Sequence, residues 1–316
     1  MRVVFFGTPA FAVPSLTALL ETGIDVAAVV TQPDRPKGRS HSTLVPPPVK
    51  VRALDAGILV LQPERPRGTE FLHSVRSLHA DLGIVVAYGH LLSAELLGIP
   101  RLGCVNVHAS LLPRWRGAAP IQWALLSGDP ETGVTIMRVE TGLDTGAVWH
   151  EREIAISDID TTARLTVSLS LLGARALIEA LPRIEAGVAP RPQDDVGATH
   201  APKIDRDVAR IRWTESARVV SCRIRAMDPA PGAWTTIGGA EIKIWGAAGG
   251  SAVGARHAAP LRSPPPGSIA SRDGRVFATA DDDFIAITDV QPAGGRRMPA
   301  SEWLRGANLP ADARFE

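Results

Sequence analysis

Short, continuous apolar runs alternate with helix-like segments through the first half of the chain. Runs of this kind, rich in Val and Ile, are typical of strands that are buried on both faces of a parallel sheet. The predicted strands cover residues 2–6, 25–31, 58–62, 82–88 and 104–108. The pattern predicts an α/β fold with a Rossmann-like, open, mostly parallel sheet. Ligands of such sheets bind beyond the carboxyl ends of the strands.

Two further strand patterns, at residues 134–140 and 147–156, flank a glycine-containing turn. An amphipathic pattern rich in Leu and Ala then predicts a helix over residues 161–185. A stretch rich in Pro, Gly and Ala follows at residues 187–202, and this composition is typical of a linker.

The last third of the chain has a different pattern, with short apolar runs punctuated by Gly and Pro. A helix is predicted over residues 218–227, and strands at 233–238, 240–247, 274–280 and 284–291. Strands of this length and spacing favour a small β-barrel. We therefore predict a first domain at residues 1–186, a linker at 187–206 and a second domain at 207–316. The glycine-rich residues 246–267 are interpreted as a surface loop.

Composition adds limits to this picture. The chain has 316 residues, of which 45% are hydrophobic and 21% charged, as expected for a globular protein large enough for two cores. Its formal net charge of +1 gives no overall attraction to nucleic acid or membrane. A polyanionic partner would therefore have to be bound by local basic patches.

The two cysteines, Cys104 and Cys222, are far apart and belong to no Cys/His cluster. Their spacing indicates free thiols in a reducing compartment, with no disulfide and no metal site. The apolar start of the chain is broken by Gly7, Pro9 and Pro14, which favours a strand and a helix over a secretion signal. No apolar run is expected to span a membrane, and we expect a cytoplasmic monomer.

A nucleotide site is disfavoured at the first strand-to-helix turn. Gly7 follows the strand there, but neither GxGxxG nor GxxxxGK[ST] occurs, so the glycines that cradle phosphates are missing. A tight turn is the better interpretation.

The candidate chemistry lies in the segment VNVHASLLPRWRGAAPI and in ETGLDTG. Asn106 and His108 are two residues apart on a predicted strand, so their side chains point to the same side. Asp144 lies between two glycines, where the chain can bend back. An amide donor, an acid/base and a carboxylate are the groups needed for acyl-type transfer through a tetrahedral intermediate.

Each of these residues also has a structural interpretation. Taken singly, Asn106 could close a strand, His108 could be a satisfied core residue and Asp144 a turn residue. The letters DTG also occur in aspartic proteases, but those need a second copy and a mostly β chain, and this chain has neither.

Long segments around these residues, NVHASLLPRWRGAAPIQWAL and GVTIMRVETGLDTG, resemble the folate-dependent formyltransferases. Within that family they are most similar to the branch whose acceptor is initiator methionyl-tRNA. FFGTP, TQPDRPKGR, VVAYGHLL, RAMDPAPGAW and QPAGGRRM are similar as well. The resemblance therefore covers nearly the whole chain.

The resemblance implies a reaction in which an amine attacks the formyl carbon of 10-formyltetrahydrofolate, with no metal. Asn106 and a protonated His108 would stabilise the oxygen that gains charge, and Asp144 would orient the imidazole. The folate site would run along Tyr88 and the segment SLLP, where backbone groups and apolar side chains could hold a flat pterin. The SLLP residues are Ser110, Leu111, Leu112 and Pro113.

The resemblance also implies tRNA contacts by a basic, Pro-rich loop at residues 32–52 and by an OB-like barrel at the end of the chain. The residues expected to contact tRNA are Arg35, Lys37, Arg39, Lys203 and Arg206. Arg39 occupies the key arginine position, whereas Ser40–Thr43 depart from the family's usual Gly and paired basic residues.

Residue patterns alone leave both tRNA assignments open. The loop could simply be solvated, although a loop this long is often functional. The basic residues between Lys203 and Arg225 fit an exposed helix face as well as RNA contact. Arg296 and Arg297 favour RNA.

Two other functions stay open from the sequence. One is a formyltransferase acting on a small amine, such as glycinamide ribonucleotide or a nucleotide-linked amino sugar. The other is an RNA-binding protein without catalytic activity.

Overall fold

A computed structural model describes residues 1–37, 43–249, 264–310 and 312–316. The chain forms two compact units that interleave along the sequence. The first comprises Met1–Gly117, Gly133–Ile154 and Thr166–Ala201, and the second Ala118–Thr132, Ala155–Leu165 and Pro202–Glu316. The domain limits proposed at residues 186 and 207 stay a prediction.

The described residues before residue 202 form eleven strands and six α-helices. The strands are β1 (Arg2–Gly7), β2 (Asp25–Val30), β3 (Arg35–Lys37), β4 (Thr43–Val45), β5 (Val60–Leu61), β6 (Leu82–Val86), β7 (Cys104–His108), β8 (Arg116–Gly117), β9 (Glu131–Arg138), β10 (Val148–Ala155) and β11 (His200–Ala201). The helices are α1 (Val13–Glu21), α2 (Pro48–Asp55), α3 (Thr69–Ser77), α4 (Ala94–Leu97), α5 (Pro120–Leu126) and α6 (Thr162–Glu185).

The main sheet of the first unit has the strand order β10-β9-β7-β6-β1-β2-β5. The pairs β5–β2, β2–β1, β1–β6 and β6–β7 are parallel, and β9 is antiparallel to β7. The predicted α/β fold with a mostly parallel sheet is therefore confirmed. Because β6 and β7 are neighbours, their carboxyl ends lie side by side.

The core of this unit lies on both faces of the sheet. Phe5 and Phe6 point to opposite faces of β1, and both are completely buried. Leu16 and Leu19 of α1 are buried as well. Burial of each large apolar side chain contributes about 1.5–3 kcal/mol. This two-sided burial explains why the strand runs are continuously apolar rather than alternating.

The basic, Pro-rich segment at residues 32–52 differs from the loop that was predicted. β3 and β4 form an antiparallel hairpin in which Arg35 pairs with Val45, and Pro48 begins α2. Proline is favoured in the first helical turn because its missing N–H would have no partner there. Residues 38–42 lie outside the described residues.

The expectation that no segment reaches membrane-spanning length is wrong for α6. This helix has 24 residues and an apolar composition that meets the length and composition of a span. Half of its most apolar window is buried inside the protein, as in the core helix of a globular domain, and Leu169 and Leu177 are completely buried. A single helix of this kind is weak evidence for a membrane segment.

From residue 202 onward, the described part of the second unit contains six strands and two α-helices. These are α7 (Ala217–Ala226), β12 (Ala233–Ile237), β13 (Ala240–Gly249), β14 (Ile269–Arg272), β15 (Arg275–Thr279), β16 (Phe284–Pro292), β17 (Met298–Pro299) and α8 (Ala300–Gly306). The antiparallel sheet has the order β12-β13-β16-β15-β14, with β17 beside β16.

The two edges of this sheet are joined by the end of the chain. Phe315 bridges Ile237 of β12, and Arg314 bridges Ser268, the residue before β14. The strand-rich second domain that the sequence predicts is thereby confirmed as a sheet closed into a ring.

The glycine-rich stretch at residues 246–267 is a loop over only part of its length. β13 continues through Gly249, which pairs with Ile285 of β16. Gly246 has a φ of 64°, and a Cβ atom there would lie 2.0 Å from the Thr288 hydroxyl. The strand therefore needs glycine at this crossing. Residues 250–263 of the predicted loop lie outside the described residues.

Candidate active site

β7 carries two of the three predicted catalytic residues. Asn106 and His108 are alternate residues of this strand, so they lie on the same face of the sheet. Val85 of β6 pairs with Asn106 on one side, and Met137 of β9 pairs with it on the other. His108 is the last residue of the strand, and 5% of its surface is exposed.

The ring of His108 is fixed by the loop that follows its own strand. Its Nε2 atom lies 2.9 Å from the carbonyl oxygen of Trp115. A carbonyl oxygen only accepts hydrogen bonds, so Nε2 carries a proton and donates it. Trp115 has a φ of 63°, and its own N–H donates to the Thr199 hydroxyl at 2.9 Å. The Nδ1 atom is therefore the nitrogen that is left for chemistry.

Asp144 approaches this second nitrogen. Its Oδ2 atom lies 3.7 Å from His108 Nδ1 and accepts a hydrogen bond of 2.9 Å from the backbone N–H of Gly117. The carboxylate is 15% exposed, and the backbone at Asp144 has a φ of 52°. The structure thus brings Asp144 beside His108, although the two are far apart in sequence.

Two glycines permit this close approach. A Cβ atom at Gly146 would lie 2.0 Å from the carbonyl oxygen of Arg138. At Gly117, where φ is 129°, a Cβ atom would lie 2.7 Å from the carbonyl oxygen of Ala201. A side chain at either position would push the Asp144 turn or the Gly117 amide out of place.

The partly buried amide of Asn106 makes no side-chain hydrogen bond within the described part of the chain. Both of its N–H donors are therefore available to a ligand on the His108 face of the sheet.

The predicted folate residues after His108 form a tightly bonded loop. The Ser110 hydroxyl donates to the carbonyl of Arg114 at 2.7 Å. The hydroxyl of Thr135 donates to the Ser110 carbonyl at 2.7 Å and accepts from the Leu112 N–H at 3.1 Å. Leu112 is buried, whereas Leu111 and Pro113 are half-buried. Leu111 and Pro113 are thus the side chains of this loop that a ligand can reach.

Tyr88, the fifth predicted folate residue, lies in the core. Its ring packs edge-on against Phe6 at 5.7 Å, and burial raises the pKa of its hydroxyl to about 12. Its carbonyl accepts hydrogen bonds from Thr8 and Gln32, each 3.0 Å long. The Tyr88 side chain therefore does not line the predicted folate site, and a folate contact at Tyr88 would have to involve the backbone.

The predicted tRNA residues have different surroundings. Arg35 is exposed and donates to Gln32, and Lys37 ends β3. Arg39 and Ser40 to Ser42 lie outside the described residues. In the second unit Lys203 and Arg206 are both exposed. Arg206 forms an ion pair of 2.5 Å with Glu241 and stacks over Trp234 at 4.2 Å.

Two arginines of the basic cluster between Lys203 and Arg225 fit neither alternative left open by the sequence, an exposed helix face or RNA contact. Arg225 is buried, and it donates to the carbonyls of Ser157 and Asp160 at 3.3 and 2.9 Å. Arg223 is mostly buried and forms an ion pair with Glu215. Their guanidinium groups are therefore engaged within the second unit.

Arg297 is engaged as well. Its guanidinium pairs with Asp289 at 2.8 Å and with Asp228 at 3.3 Å. Burial tends to lower its pKa, but these two carboxylates outweigh that effect and raise it. Arg296 beside it is exposed.

Several groups of the site were not found from the sequence. They are the carbonyl of Trp115, the amide of Gly117 and the hydroxyls of Thr135 and Thr199. Backbone atoms have no signature in a sequence, and Thr199 lies in the segment predicted to be a linker. The pairing of β8 and β11 through Arg116 and His200 is one of the contacts that bring that segment to the site.

Cys104 and Cys222 are buried free thiols, and burial raises the pKa of Cys104 to about 12. Within the described ranges, no group of three or more His, Cys, Asp or Glu side chains is arranged to hold a metal ion. The expectation that the protein uses no metal stays a prediction.

Comparison with known proteins identifies relatives along nearly the whole chain. The profile of the formyl transferase family matches residues 1–181, and the profile of the formyl transferase C-terminal domain matches residues 203–308. Methionyl-tRNA formyltransferase of Methylococcus capsulatus is 46% identical over 310 residues, which are 98% of each chain. The enzyme of the same name from Bacillus subtilis is 42% identical and covers 98% of this chain and 96% of its own.

A solved structure with the same fold is HypX from Aquifex aeolicus in complex with tetrahydrofolic acid. It matches with a TM-score of 0.65 at 19% identity, over 96% of this chain and 47% of that protein.

Proposed function

Since this chain belongs to the formyl transferase family, we propose that it transfers the formyl group of 10-formyltetrahydrofolate to the α-amino group of initiator methionyl-tRNA. The product is N-formylmethionyl-tRNA, which serves in translation initiation. The proposal rests on relatives of that name over 98% of the chain and on one observation in the site, the approach of Asp144 to the free nitrogen of His108.

The reaction begins when the α-amine attacks the formyl carbon. A C–N bond forms, and the formyl oxygen takes up the electron pair of the C=O bond. Asn106 supplies amide N–H donors, and His108 supplies its Nδ1 side, because Nε2 is already bonded to the Trp115 carbonyl. A donor aimed at such an oxygen contributes about 100- to 1000-fold to the rate.

The intermediate then collapses. The C=O bond reforms, the bond to N10 of the folate breaks, and N10 takes up a proton as tetrahydrofolate leaves. The attacking nitrogen gives up a proton. The Asp144 carboxylate lies 3.7 Å from His108 Nδ1, and this separation allows it to accept the proton through a water molecule.

The folate cosubstrate is assigned to the loop after His108. Leu111 and Pro113 are half-buried there, so they can cover a flat ring. The loop itself is rigid, since Thr135 bonds both the carbonyl of Ser110 and the N–H of Leu112. A rigid, partly apolar surface with backbone groups at its edge suits a pterin.

We assign the tRNA to the basic, Pro-rich segment at residues 32–52 and to exposed basic side chains of the second unit. Lys203 and Arg206 lie at the start of the C-terminal part, and Arg210 and Arg212 follow. These cations can contact phosphates without base specificity. We expect the protein to work as a monomer in the cytoplasm.

A direct assay tests this function. The purified chain receives 10-formyltetrahydrofolate with one of four acceptors: charged initiator tRNA, elongator methionyl-tRNA, glycinamide ribonucleotide or a nucleotide-linked amino sugar. We expect efficient formylation of the initiator only. Faster transfer to either small amine would overturn the assignment.

A matched variant separates catalysis from RNA binding. Asn106→Ala should lower kcat by about 100- to 1000-fold and leave tRNA affinity unchanged. If the wild-type chain binds tRNA but transfers no formyl group, the protein is only an RNA-binding protein.

A further inference from the structure

Gln193 lies in the segment that the sequence marks as a linker, yet its side chain reaches the catalytic turn. Its Nε2 atom donates to the carbonyl of Asp144 at 2.9 Å and to the carbonyl of Gly146 at 2.7 Å. These two carbonyls are on either side of Thr145, so one amide group spans the turn that presents the Asp144 carboxylate.

The orientation of this amide is not ambiguous. Its Oε1 atom accepts from Nε and Nη2 of Arg116, at 3.1 and 2.9 Å. A guanidinium only donates and a carbonyl only accepts, so the oxygen must face Arg116 and the nitrogen must face the turn. Gln193 is thereby locked into one rotamer and satisfied at both ends.

Arg116 connects Gln193 to the other contact of Asp144. Its side chain is buried, with 6% exposed, and its third hydrogen bond goes to Asp195 at 2.9 Å. The next residue, Gly117, donates its N–H to Asp144 Oδ2. Gln193 and Gly117 therefore hold the same residue from its backbone and its carboxylate.

The turn needs such support. Asp144 has a φ of 52°, a left-handed conformation that residues other than glycine rarely adopt. With no hydrogen bond to its carbonyls, the turn would be free to relax, and Asp144 Oδ2 would leave its place 3.7 Å from His108 Nδ1.

We propose that Gln193 is a positioning residue: it fixes the backbone of residues 144–146 so that the Asp144 carboxylate faces His108 and the Gly117 amide. Its effect on activity rests on the proposed function, whereas its effect on the position of Asp144 does not. The segment around Gln193 is then part of the catalytic apparatus.

The test uses the full chain with two substitutions at this position and one control. Gln193→Leu removes every hydrogen bond of the amide. Gln193→Glu keeps the acceptors for Arg116 but cannot donate to the two carbonyls. Asp195→Asn, the control, changes only the 88% exposed partner of Arg116 and leaves Gln193 intact.

Two readouts are measured on each variant. The first is hydrogen exchange of the Gly117 amide, because that N–H is bonded to the Asp144 carboxylate and reports its position without any substrate. The second is kcat and the KM for each substrate. A general loss of structure would change both KM values, whereas displacement of Asp144 changes kcat.

We expect both Gln193 variants to exchange the Gly117 amide about tenfold faster or more, and to lose about 10- to 100-fold in kcat with KM almost unchanged. Asp195→Asn should resemble the wild type. Normal exchange and normal kcat in Gln193→Glu would overturn the proposal, because the residue would then serve only Arg116.

If Gln193→Leu does not fold, the Gln193→Glu variant is used alone, because Gln193→Glu retains the contact with Arg116. If the wild type fails to formylate methionyl-tRNA while Gly117 exchange still rises in the variants, the proposed function fails and the positioning role of Gln193 is supported.

Discussion

Asp144 Oδ2 lies 3.7 Å from His108 Nδ1, a separation longer than a hydrogen bond. The carboxylate is held by the Gly117 amide and the ring by the Trp115 carbonyl. Each group is therefore placed by the backbone rather than by the other. The gap between them is a position where a water molecule or a substrate proton can be received.

The charge of Asp144 is testable without removing its contact to Gly117. In Asp144→Asn the side-chain oxygen still accepts from that amide, but it no longer takes up a proton. We expect kcat for formyl transfer to fall by about 100- to 10,000-fold, with unchanged thermal stability. The control is Asp194→Asn, an exposed aspartate whose one side-chain hydrogen bond among the described residues is accepted from the N–H of Val196. Single-turnover transfer rates decide the result, and near-normal rates in Asp144→Asn would remove this role.

Thr135 is expected to be essential for the loop after His108. Thr135→Val removes a completely buried hydroxyl that bonds Ser110 and Leu112. We expect the free energy of unfolding to fall by about 1–3 kcal/mol and the KM for the folate to rise. Urea denaturation measures the first effect and initial rates measure the second.

A residue of the same strand provides the comparison. The buried hydroxyl of Thr132 has no hydrogen-bond partner within the described residues. Thr132→Val should therefore leave stability unchanged or increase it. Equal losses of stability in Thr135→Val and Thr132→Val would show that the hydrogen bonds of Thr135 do not stabilise the protein.

Phe315 is expected to be critical for the second unit. Its ring is 2% exposed and stacks on Trp213 at 5.2 Å and on Trp303 at 6.1 Å. Phe315→Ala should cost about 3–5 kcal/mol of unfolding free energy, measured by denaturation with tryptophan fluorescence. Phe277→Ala, at a half-buried position of β15, should cost less. A smaller effect at Phe315 than at Phe277 would contradict this role.

Lowering the pH should weaken the contacts of Asp34, the residue that precedes β3. Hydrogen bonds from Gln62 and then from Lys50 hold the pKa of Asp34 below its usual value of 3.8. A lowered pKa means that Asp34 adds stability above pH 3.8, and that this contribution is lost as the pH falls through the lowered value. The difference in stability between wild type and Asp34→Asn should therefore shrink on acidification.

Unfolding midpoints between pH 7 and pH 3 measure that difference. Asp55→Asn is the control, because Asp55 is exposed and makes no side-chain hydrogen bond in the described ranges. A constant difference at Asp34 over the whole range would contradict the assignment.

The proposed tRNA contacts predict a dependence on salt. Binding through phosphates should weaken steeply as salt rises, and Lys203→Ala should lower the slope of log affinity against log salt by about one. Arg272→Ala, an exposed arginine of the barrel outside the predicted contacts, should leave that slope unchanged. If the tRNA affinities of the wild type, Lys203→Ala and Arg272→Ala all changed little with salt, phosphate contacts would be excluded.

The sheet could be predicted from the sequence because its strands are apolar on both faces. The prediction of β7 at residues 104–108 matches the structure, and β1 and β2 differ from their predicted limits by one residue. The strand predicted at residues 58–62 is shorter in the structure, where it covers Val60–Leu61. It is the edge strand of the sheet and pairs only along the part that lies beside β2. Helices α2 and α8 were missed, as each begins after a proline in a segment that resembles a loop.

The sequence predicts the three catalytic side chains of the candidate site but not the groups that position them. Asn106 and His108 follow from alternation along one strand, and Asp144 from glycines that permit a turn. The Trp115 carbonyl and the Gly117 amide could not be predicted, since any residue type supplies them. Gln193 was hidden for a different reason: its neighbours have the composition of a linker, and only the folded chain brings it to the Asp144 turn.

The bridges from Arg314 and Phe315 to the two sheet edges also bear on how this protein is made. During synthesis the chain leaves the ribosome with its amino end first. β12 and the start of β14 therefore emerge long before Arg314 and Phe315, which join them. Until then the carbonyls of Thr236 and Gly267 lack their partners Glu316 and Phe315, and unpaired groups at sheet edges can recruit strands from other nascent chains. Chaperone demand during synthesis should therefore peak after β16 has emerged and end abruptly once Phe315 is free.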